Sequence, residues 1–205
     1  MEGYHLVNVT QKGIHKTIIK GEEIMRKYTA LFAVIAVVLS MALLAGCSGG
    51  GAVKTGLGTV ISIGSSKDAT SEAAGNAQVD TVMAAVSVDS SGKIVSVTID
   101  TAQTKIAFGA DGKITTDKSG EFKTKVEIGD GYGMKKASKI GKEWYEEIAD
   151  LEKWMVGKTI DQVKAMKVTE ENGSVHTAEP DLTSKVTVSI GDYIAAVEEA
   201  VKNAK

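Results

Sequence analysis

Residues 79–99 read VDTVMAAVSV, then DSSG, then KIVSVTI, which is the pattern of two strands joined by a tight turn. The first strand is mostly β-branched or small residues, and the second alternates apolar with polar side chains. Asp, Ser and Gly between them are residue types that turns favour. Because side chains alternate across a strand, one set in the second strand is expected to face the core, with Ile94 on the opposite face. The expected core-facing set is Val95, Val97 and Ile99.

Further strands are predicted on both sides of this hairpin. Residues 58–63 have the composition of a first strand, and the small, polar residues 64–78 predict a surface loop. Residues 105–108 and 113–116 flank a Gly-Ala-Asp-Gly turn and predict a weaker second hairpin. Residues 122–128 alternate apolar with polar or charged side chains, which is typical of a half-buried strand.

Helices are predicted in the C-terminal half. Five apolar residues recur at the spacing of one helix face; they are Ile140, Trp144, Ile148, Leu151 and Met155. Gly157 is expected to end this helix, and Thr159 with Gln162 forms a capping box for a short second one. A terminal helix follows, with Ser189 and Asp192 as its predicted cap. The predicted fold class is α+β, an antiparallel β-sheet with two or three packed helices.

The composition limits the possible functions. The chain has 205 residues, 43% hydrophobic and 24% charged, which suits one domain plus a targeting segment. A formal net charge of −2 gives no basic excess, so no nucleic-acid partner is expected. A single cysteine excludes an internal disulfide, a Cys-x-x-Cys zinc knuckle and an iron–sulfur cluster. Redox work would therefore need an organic cofactor.

An N-terminal segment has the three parts of a signal peptide. Met25 begins a basic Met-Arg-Lys start, residues 30–44 are almost entirely apolar, and small residues follow. The apolar run of about 15 residues is shorter than the ~20 that a membrane-spanning helix needs. Leu44-Ala-Gly-Cys47 resembles the bacterial lipobox, in which the cysteine is lipidated. The alternative is an ordinary secretory signal followed by a free thiol.

These features divide the chain into four parts. Residues 1–24 are polar and precede the basic start, so we interpret them as an extension from an upstream start codon. Residues 25–46 are the predicted lipoprotein signal peptide, residues 47–55 a glycine-rich tether, and residues 56–205 the domain. The expected location is the extracytoplasmic face of the cell membrane, held by lipid on Cys47.

His176 is the only histidine after cleavage at Cys47. One histidine excludes multi-histidine metal sites, so no metal site is predicted. It lies in a polar stretch that predicts a solvated loop, and a hydrolase that uses it is a weaker alternative.

A glycine-rich stretch, GDGYG, occupies residues 129–133. It has neither the Gly-Lys-Ser/Thr of a P-loop nor the spacing of a dinucleotide-binding fingerprint. A tight loop is the first interpretation. The alternative is a phosphate-approaching loop formed by Gly131, Tyr132 and Gly133, with positive charge from the two lysines that follow Met134.

The C-terminal segment resembles a known family. Residues 181–189 read DLTSKVTVS, and the helix that follows contains Ala-Val-Glu-Glu-Ala. This is similar to bacterial FMN-binding domains, as in the flavin subunit of sodium-pumping quinone reductases and in electron-shuttle lipoproteins. They carry Asp-x-x-Ser-Gly-Ala-Thr-x-Thr/Ser before such a helix, and the hairpin at residues 91–97 resembles their N-terminal half. The positions that match the motif are Asp181, Ser184, Thr187 and Ser189.

The resemblance implies an FMN-binding fold and, in redox-active members, FMN linked through its phosphate to the motif threonine. A phosphate just ahead of a helix meets unpaired N–H groups and the positive end of the helix dipole. Lys185 replaces the family's glycine and Val186 its alanine. Lysine suits a phosphate, but a side chain now stands where the family has none. The alternative is that residues 185–190 form a strand, with Thr187 facing solvent and no flavin.

Two functions follow from these alternatives. The first is a flavin-carrying electron-transfer lipoprotein whose partners are quinone-linked or extracellular electron-transfer proteins. The second is a non-catalytic envelope lipoprotein that binds a ligand or partner and keeps the fold without FMN. Neither is a substrate-converting enzyme.

Overall fold

The computed structural model describes residues 52–205, which form one α+β unit. The predicted signal peptide, the lipidation site Cys47 and most of the tether lie outside these residues. The regular elements, in chain order, are β1 (Lys54–Ser62), β2 (Gly75–Val88), β3 (Ile94–Phe108), α1 (Lys125–Ile128), α2 (Trp144–Met155), α3 (Ile160–Lys164), β4 (Val168–Glu171), β5 (Ser174–Thr177) and α4 (Gly191–Asn203). The antiparallel sheets confirm the predicted α+β class.

The main sheet has the strand order β1-β2-β3, and its central hairpin is longer than predicted. Strand β2 begins at Gly75 inside the predicted loop, and β3 continues to Phe108 through the first arm of the predicted second hairpin. The two strands pair without a break from Gly75 opposite Phe108 to Ser87 opposite Ser96. Residues 113–116 form no strand, and Ile114 makes only an isolated bridge to Phe108. The predicted second hairpin is reduced to a turn closed by this antiparallel bridge, so its second strand was a wrong prediction.

The core lies between one face of this sheet and helices α2 and α4. The predicted stripe on α2 is buried from Trp144 to Met155, as expected. The prediction for the start of β3 was wrong, since Ile94 is 1% exposed and Val95 is 48% exposed. The pairing of β2 with β3 shifts register beside Val88, and this irregularity turns Ile94 inward.

Helix α4 packs closely against β1 through two glycines. A Cβ added to Gly56 would lie 2.0 Å from the Ala200 carbonyl oxygen, and one added to Gly58 would lie 2.1 Å from that of Ala196. The C-terminal residues also bond to the outer edge of β1. The amide of Thr59 donates to Glu199 Oε2 (2.6 Å), Asn203 Nδ2 donates to the Leu57 carbonyl (2.9 Å), and the Lys205 amide donates to the Thr55 carbonyl (3.4 Å).

Residues 122–128 are not the predicted strand, because their C-terminal half is the short helix α1. A capping box starts this helix: the Glu127 amide donates to Thr124 Oγ1, and the Thr124 amide donates to the Glu127 carboxylate. The Val126 amide donates to Asp100 Oδ1 (3.2 Å), which ties the helix to β3. Two 3-10 turns follow, Gly129–Tyr132 and Met134–Lys136.

The capping box of Thr159 and Gln162 at the start of α3 is confirmed. The predicted cap of α4 is wrong, because its N-cap is Ile190 and no side chain of residues 52–205 accepts a hydrogen bond as its cap. His176 is not in a solvated loop but half-buried on β5, where its Nδ1 lies 3.0 Å from the Thr187 carbonyl oxygen. Residues 185–190 are irregular, so the alternative that placed Thr187 in a strand is also wrong.

Candidate functional site

An open cavity of about 260 Å³ lies at the start of α4. Its wall combines strands β1, β2 and β3 with α1 and the first turn of α4. Polar side chains predominate in the lining, among them Asp80, Thr101, Lys125, Ser189, Asp192 and Tyr193. The volume is slightly below the 300–1,000 Å³ that is common for small-molecule pockets.

The first turn of α4 has free hydrogen-bond donors. The Ile190 amide donates to the Val175 carbonyl, and the Ile194 amide makes the first bond of the helix, to the Ile190 carbonyl. Among the described residues, the three amides between them have no acceptor. Exposed N–H groups at a helix start favour an anion, because the helix dipole adds to their positive partial charge.

Thr101 lines the cavity, but its hydroxyl oxygen is enclosed in the wall. Its side chain is 3% exposed, and its Oγ1 has no hydrogen-bond partner within residues 52–205. Tyr193 is near enough for Thr101 to affect its pKa, but the two hydroxyls do not form a hydrogen bond of ordinary geometry. A buried hydroxyl without a partner is unfavourable, and this oxygen is too enclosed for a water or a ligand atom to reach it, so it is a cost within the fold and not a ligand contact.

Tyr193 lines the cavity and packs on the buried Trp144 behind it. The indole Nε1 of Trp144 donates to the Tyr193 hydroxyl (2.8 Å), and the two rings meet edge to face at 5.9 Å. Burial raises the pKa of Tyr193 to about 12. The phenol is therefore neutral at physiological pH, and its O–H group can donate a hydrogen bond.

Lys125 supplies positive charge at the cavity. Its Nζ lies 4.9 Å from the centre of the Tyr132 ring and 5.2 Å from that of Trp144. Two aromatic faces stabilise an ammonium in this position. The carboxylates of Asp80 and Asp192 line the same cavity, so its formal charge is not positive overall.

The loop before α4 is held by one buried carboxylate, that of Glu147 on α2. Its Oε2 accepts from the amides of Thr187 (2.6 Å) and Val188 (3.1 Å). Its Oε1 accepts from the hydroxyls of Thr187 (3.0 Å) and Ser138 (3.2 Å). Four donors offset the cost of burying this side chain, which is fully enclosed.

The structure separates the motif residues that the sequence grouped together. Ser189 is exposed and lines the cavity, whereas the Thr187 hydroxyl is bonded to Glu147. Asp181, Ser184 and Lys185 are exposed on the turn at residues 180–185 and do not line the cavity; Val186 is buried in the core. The motif therefore contributes one available hydroxyl to this site.

The glycine-rich stretch contributes through Tyr132. This ring contacts Lys125, which lines the cavity, while Gly131 and Gly133 are exposed and lie outside its lining. Gly133 has φ +78°, a left-handed conformation that favours glycine, so the two 3-10 turns account for its presence.

Sequence reasoning missed several residues of the site. Thr101, Lys125 and Tyr193 come from separate elements, and only the fold brings them together. Glu147 did leave a signal. It lies three residues after Trp144 and four before Leu151, so a charged side chain sits on the apolar face of the helix.

Comparison of the chain with protein-family models, with curated protein sequences and with solved structures gives no significant match. Within residues 52–205, no helix is long and apolar enough to span a membrane. The same residues contain no cluster of three or more His, Cys, Asp or Glu side chains arranged to hold a metal ion.

Proposed function

We propose that the protein is a lipid-anchored extracytoplasmic electron carrier whose domain binds FMN with its phosphate at the start of α4. The anchor rests on Leu44-Ala-Gly-Cys47 behind a basic and apolar leader. The flavin rests on the resemblance of residues 181–205 to FMN-binding domains. A bound flavin would supply reversible transfer of one or two electrons, which the side chains of this domain do not provide.

The observation that carries the proposal is the exposed hydroxyl of Ser189 beside three amides without acceptors. A phosphate seated there would accept hydrogen bonds from those amides and face the positive end of α4. Lys125 adds a cation to the same cavity. This part of the site fits a phosphate group.

Thr187 does not fit a phosphate ester. Its Oγ1 is bonded to the enclosed Glu147 carboxylate, and a phosphate on that oxygen would bring two anions together away from water. Of the motif hydroxyls that precede α4, Ser189 is the one that is both exposed and in the cavity. We therefore assign the attachment, or the closest phosphate contact, to Ser189 rather than to Thr187.

Native protein extracted from membranes tests this assignment. We expect yellow protein, with flavin absorption and an intact mass that exceeds the lipidated polypeptide by one FMN less one water. Ser189→Ala is expected to remove both signals. Ser184→Ala is the matched control, because this exposed motif hydroxyl lies outside the cavity, and it is expected to keep them.

Two other results would contradict the proposal. Flavin retained in Ser189→Ala would place the cofactor elsewhere. Colourless, unmodified wild-type protein from cells that contain the flavin transferase would leave the second candidate, an anchored binding protein without flavin. The carboxylates of Asp80 and Asp192 in the cavity favour that candidate, since they would repel a dianionic phosphate.

The lipid anchor is tested separately. Cys47→Ala is expected to abolish incorporation of labelled fatty acid and to release the protein from the membrane fraction. Unchanged labelling would show that lipid is attached at another position.

A further inference from the structure

One surface segment of the domain is basic while the rest is acidic. Residues 118–139, called the basic segment below, contain six lysines and three acidic residues. The remaining described residues contain 13 lysines and 20 acidic residues. The segment consists of a loop, α1 and two 3-10 turns, and so forms a local positive surface on a negatively charged domain.

The acidic side chains of the basic segment are already bonded to protein groups. Glu121 pairs with Lys123 (3.5 Å), Glu127 accepts from the Thr124 amide, and Asp130 accepts from the Tyr145 hydroxyl (2.9 Å). Four exposed lysines of the segment form no ion pair with any described residue: Lys118, Lys135, Lys136 and Lys139. Their charges are available to a partner.

Large apolar side chains lie exposed among these lysines. Phe122 is 53% exposed and Val126 is 49% exposed, and Ile128 on the same short helix is also exposed. Exposed apolar residues interleaved with lysines are typical of surfaces that enter the headgroup region of anionic membranes. An acidic protein partner would not by itself require the apolar side chains.

We propose that the basic segment rests on an anionic lipid surface, with Phe122 and Val126 inserted among the headgroups. The lipid anchor, which belongs to the proposed function, makes this contact accessible. Six residues lie between Cys47 and Lys54, which makes seven Cα–Cα steps and a reach of at most about 25 Å. Such a short tether keeps the domain at a high local concentration above the bilayer, so weak contacts suffice.

The basic segment lies close enough to the start of β1 for the tether to let it meet the membrane. Val126 is bonded to Asp100, which pairs with Met83, and Met83 pairs in turn with Thr59. Thr59 is five residues along β1 from Lys54, or about 17 Å, and two strand spacings add about 10 Å sideways. The segment therefore lies about 20 Å from the start of β1, within the span of the tether.

The test uses the lipidated protein in vesicles. Phe122→Cys introduces a single free thiol, because the sulfur of Cys47 is acylated, and this thiol is labelled with a polarity-sensitive fluorophore. We expect quenching by nitroxide-labelled lipid in vesicles that contain phosphatidylglycerol. Quenching is expected to fall at least threefold in pure phosphatidylcholine or in high salt, which screens the contact. Leu57→Cys is the control, an equally exposed apolar position on β1, and is expected to show no quenching.

Charge reversal provides the decisive comparison. Each lysine near an anionic surface strengthens binding by about fivefold, so Lys135→Glu, Lys136→Glu and Lys139→Glu together are expected to weaken the contact at least about 100-fold. The same net change made at the exposed residues Lys153, Lys167 and Lys185 is expected to leave quenching nearly unchanged. Equal loss in both triple variants would reduce the effect to net charge and overturn the proposal.

Failure of the membrane contact and failure of the lipid anchor give different results. Quenching at Leu57→Cys but not at Phe122→Cys would place the outer sheet face on the lipid and overturn the proposal. No quenching on either vesicle type would also overturn it and leave an acidic protein as the alternative partner.

If intact mass shows that Cys47 carries no lipid, the anchor fails. The basic segment is then tested by co-sedimentation with the two vesicle types, with binding restricted to the anionic vesicles as the expected result.

Discussion

The two ends of helix α4 are attached to the domain by different interactions. Its C-terminal half lies against β1, where Gly56 and Gly58 let the two backbones approach within contact distance. Its N-terminal end follows a loop that is fixed by hydrogen bonds to Glu147. The first attachment depends on a close backbone fit, with hydrogen bonds from Glu199, Asn203 and Lys205 to the edge of β1, and the second depends on one buried carboxylate. Glu147→Ala, Gly58→Ala and Thr187→Val test this difference, from the largest expected effect to the smallest, and Glu152→Gln then compares a second partly buried carboxylate of α2 that is not attached to α4.

Glu147→Ala is expected to be the most destabilising. It removes the acceptor for the amides of Thr187 and Val188 and leaves a cavity beside the core, so we expect a loss of about 4 kcal/mol in the free energy of unfolding. Glu147→Gln keeps the shape and one acceptor oxygen and is expected to lose about half as much. Urea denaturation measures both. A loss below about 1 kcal/mol for Glu147→Ala would contradict the conclusion that Glu147 holds the loop before α4.

Gly58→Ala tests the other end of the helix. The added Cβ would lie 2.1 Å from the Ala196 carbonyl oxygen and 2.4 Å from the Ala200 amide nitrogen, and both are backbone atoms that move only if the helix moves. We expect a loss of about 3 kcal/mol. Gly64→Ala is the control, because its Cβ would meet only Ser62 Oγ at 3.4 Å, and its effect should stay within about 0.5 kcal/mol.

Thr187→Val removes one hydroxyl that donates to Glu147 and leaves the hydrogen bonds from the two amides to Glu147 in place. The expected loss is about 1.5 kcal/mol, the value of a hydrogen bond to a charged group. Ser189→Ala changes an exposed hydroxyl two residues away and should alter stability by less than about 0.5 kcal/mol. Equal effects of the two substitutions in thermal unfolding would mean that the hydroxyl of Thr187 has no special role.

Glu152→Gln, also on α2, is expected to change the free energy of unfolding least. The size of its effect depends on pH. Burial raises the pKa of Glu152 in the folded protein, despite a hydrogen bond from the Ile99 amide (2.6 Å). The folded state therefore binds this proton more tightly than the unfolded state, and stability falls as pH rises from about 4.5 through the raised pKa. Glu152→Gln should remove that decline. The free energy of unfolding is measured at pH 4 and at pH 7 for both proteins. The same change between the two pH values in wild type and in Glu152→Gln would contradict this prediction.

Much of the apolar architecture could be predicted because it leaves a periodic pattern. The central hairpin and the stripe of α2 follow from alternation and from spacings of three and four residues. The exact extent of β2 and β3 could not, since small residues such as Gly75 and Ala77 pair in the sheet without an apolar signal. Alternation also misled at residues 122–128, where a capping box and a bond to Asp100 favour a helical turn.

The polar site was less predictable. The sequence grouped four motif residues before α4, and the fold places Ser189 in the cavity while it turns Thr187 toward Glu147. That choice depends on a carboxylate 40 residues away in the chain, and no local pattern encodes such a contact. Whether flavin occupies the cavity stays a prediction.

The bonds from Glu199, Asn203 and Lys205 to β1 have a consequence for handling the protein. A sheet edge with free amides and carbonyls can recruit strands from other molecules, and here the last residues of the chain occupy that edge. Truncation before Asn203 would leave only the Glu199 bond, uncover most of the edge and favour strand-to-strand aggregation, although the apolar core would be nearly intact. An affinity tag fused directly after Lys205 would crowd the same edge, so a flexible spacer is advisable.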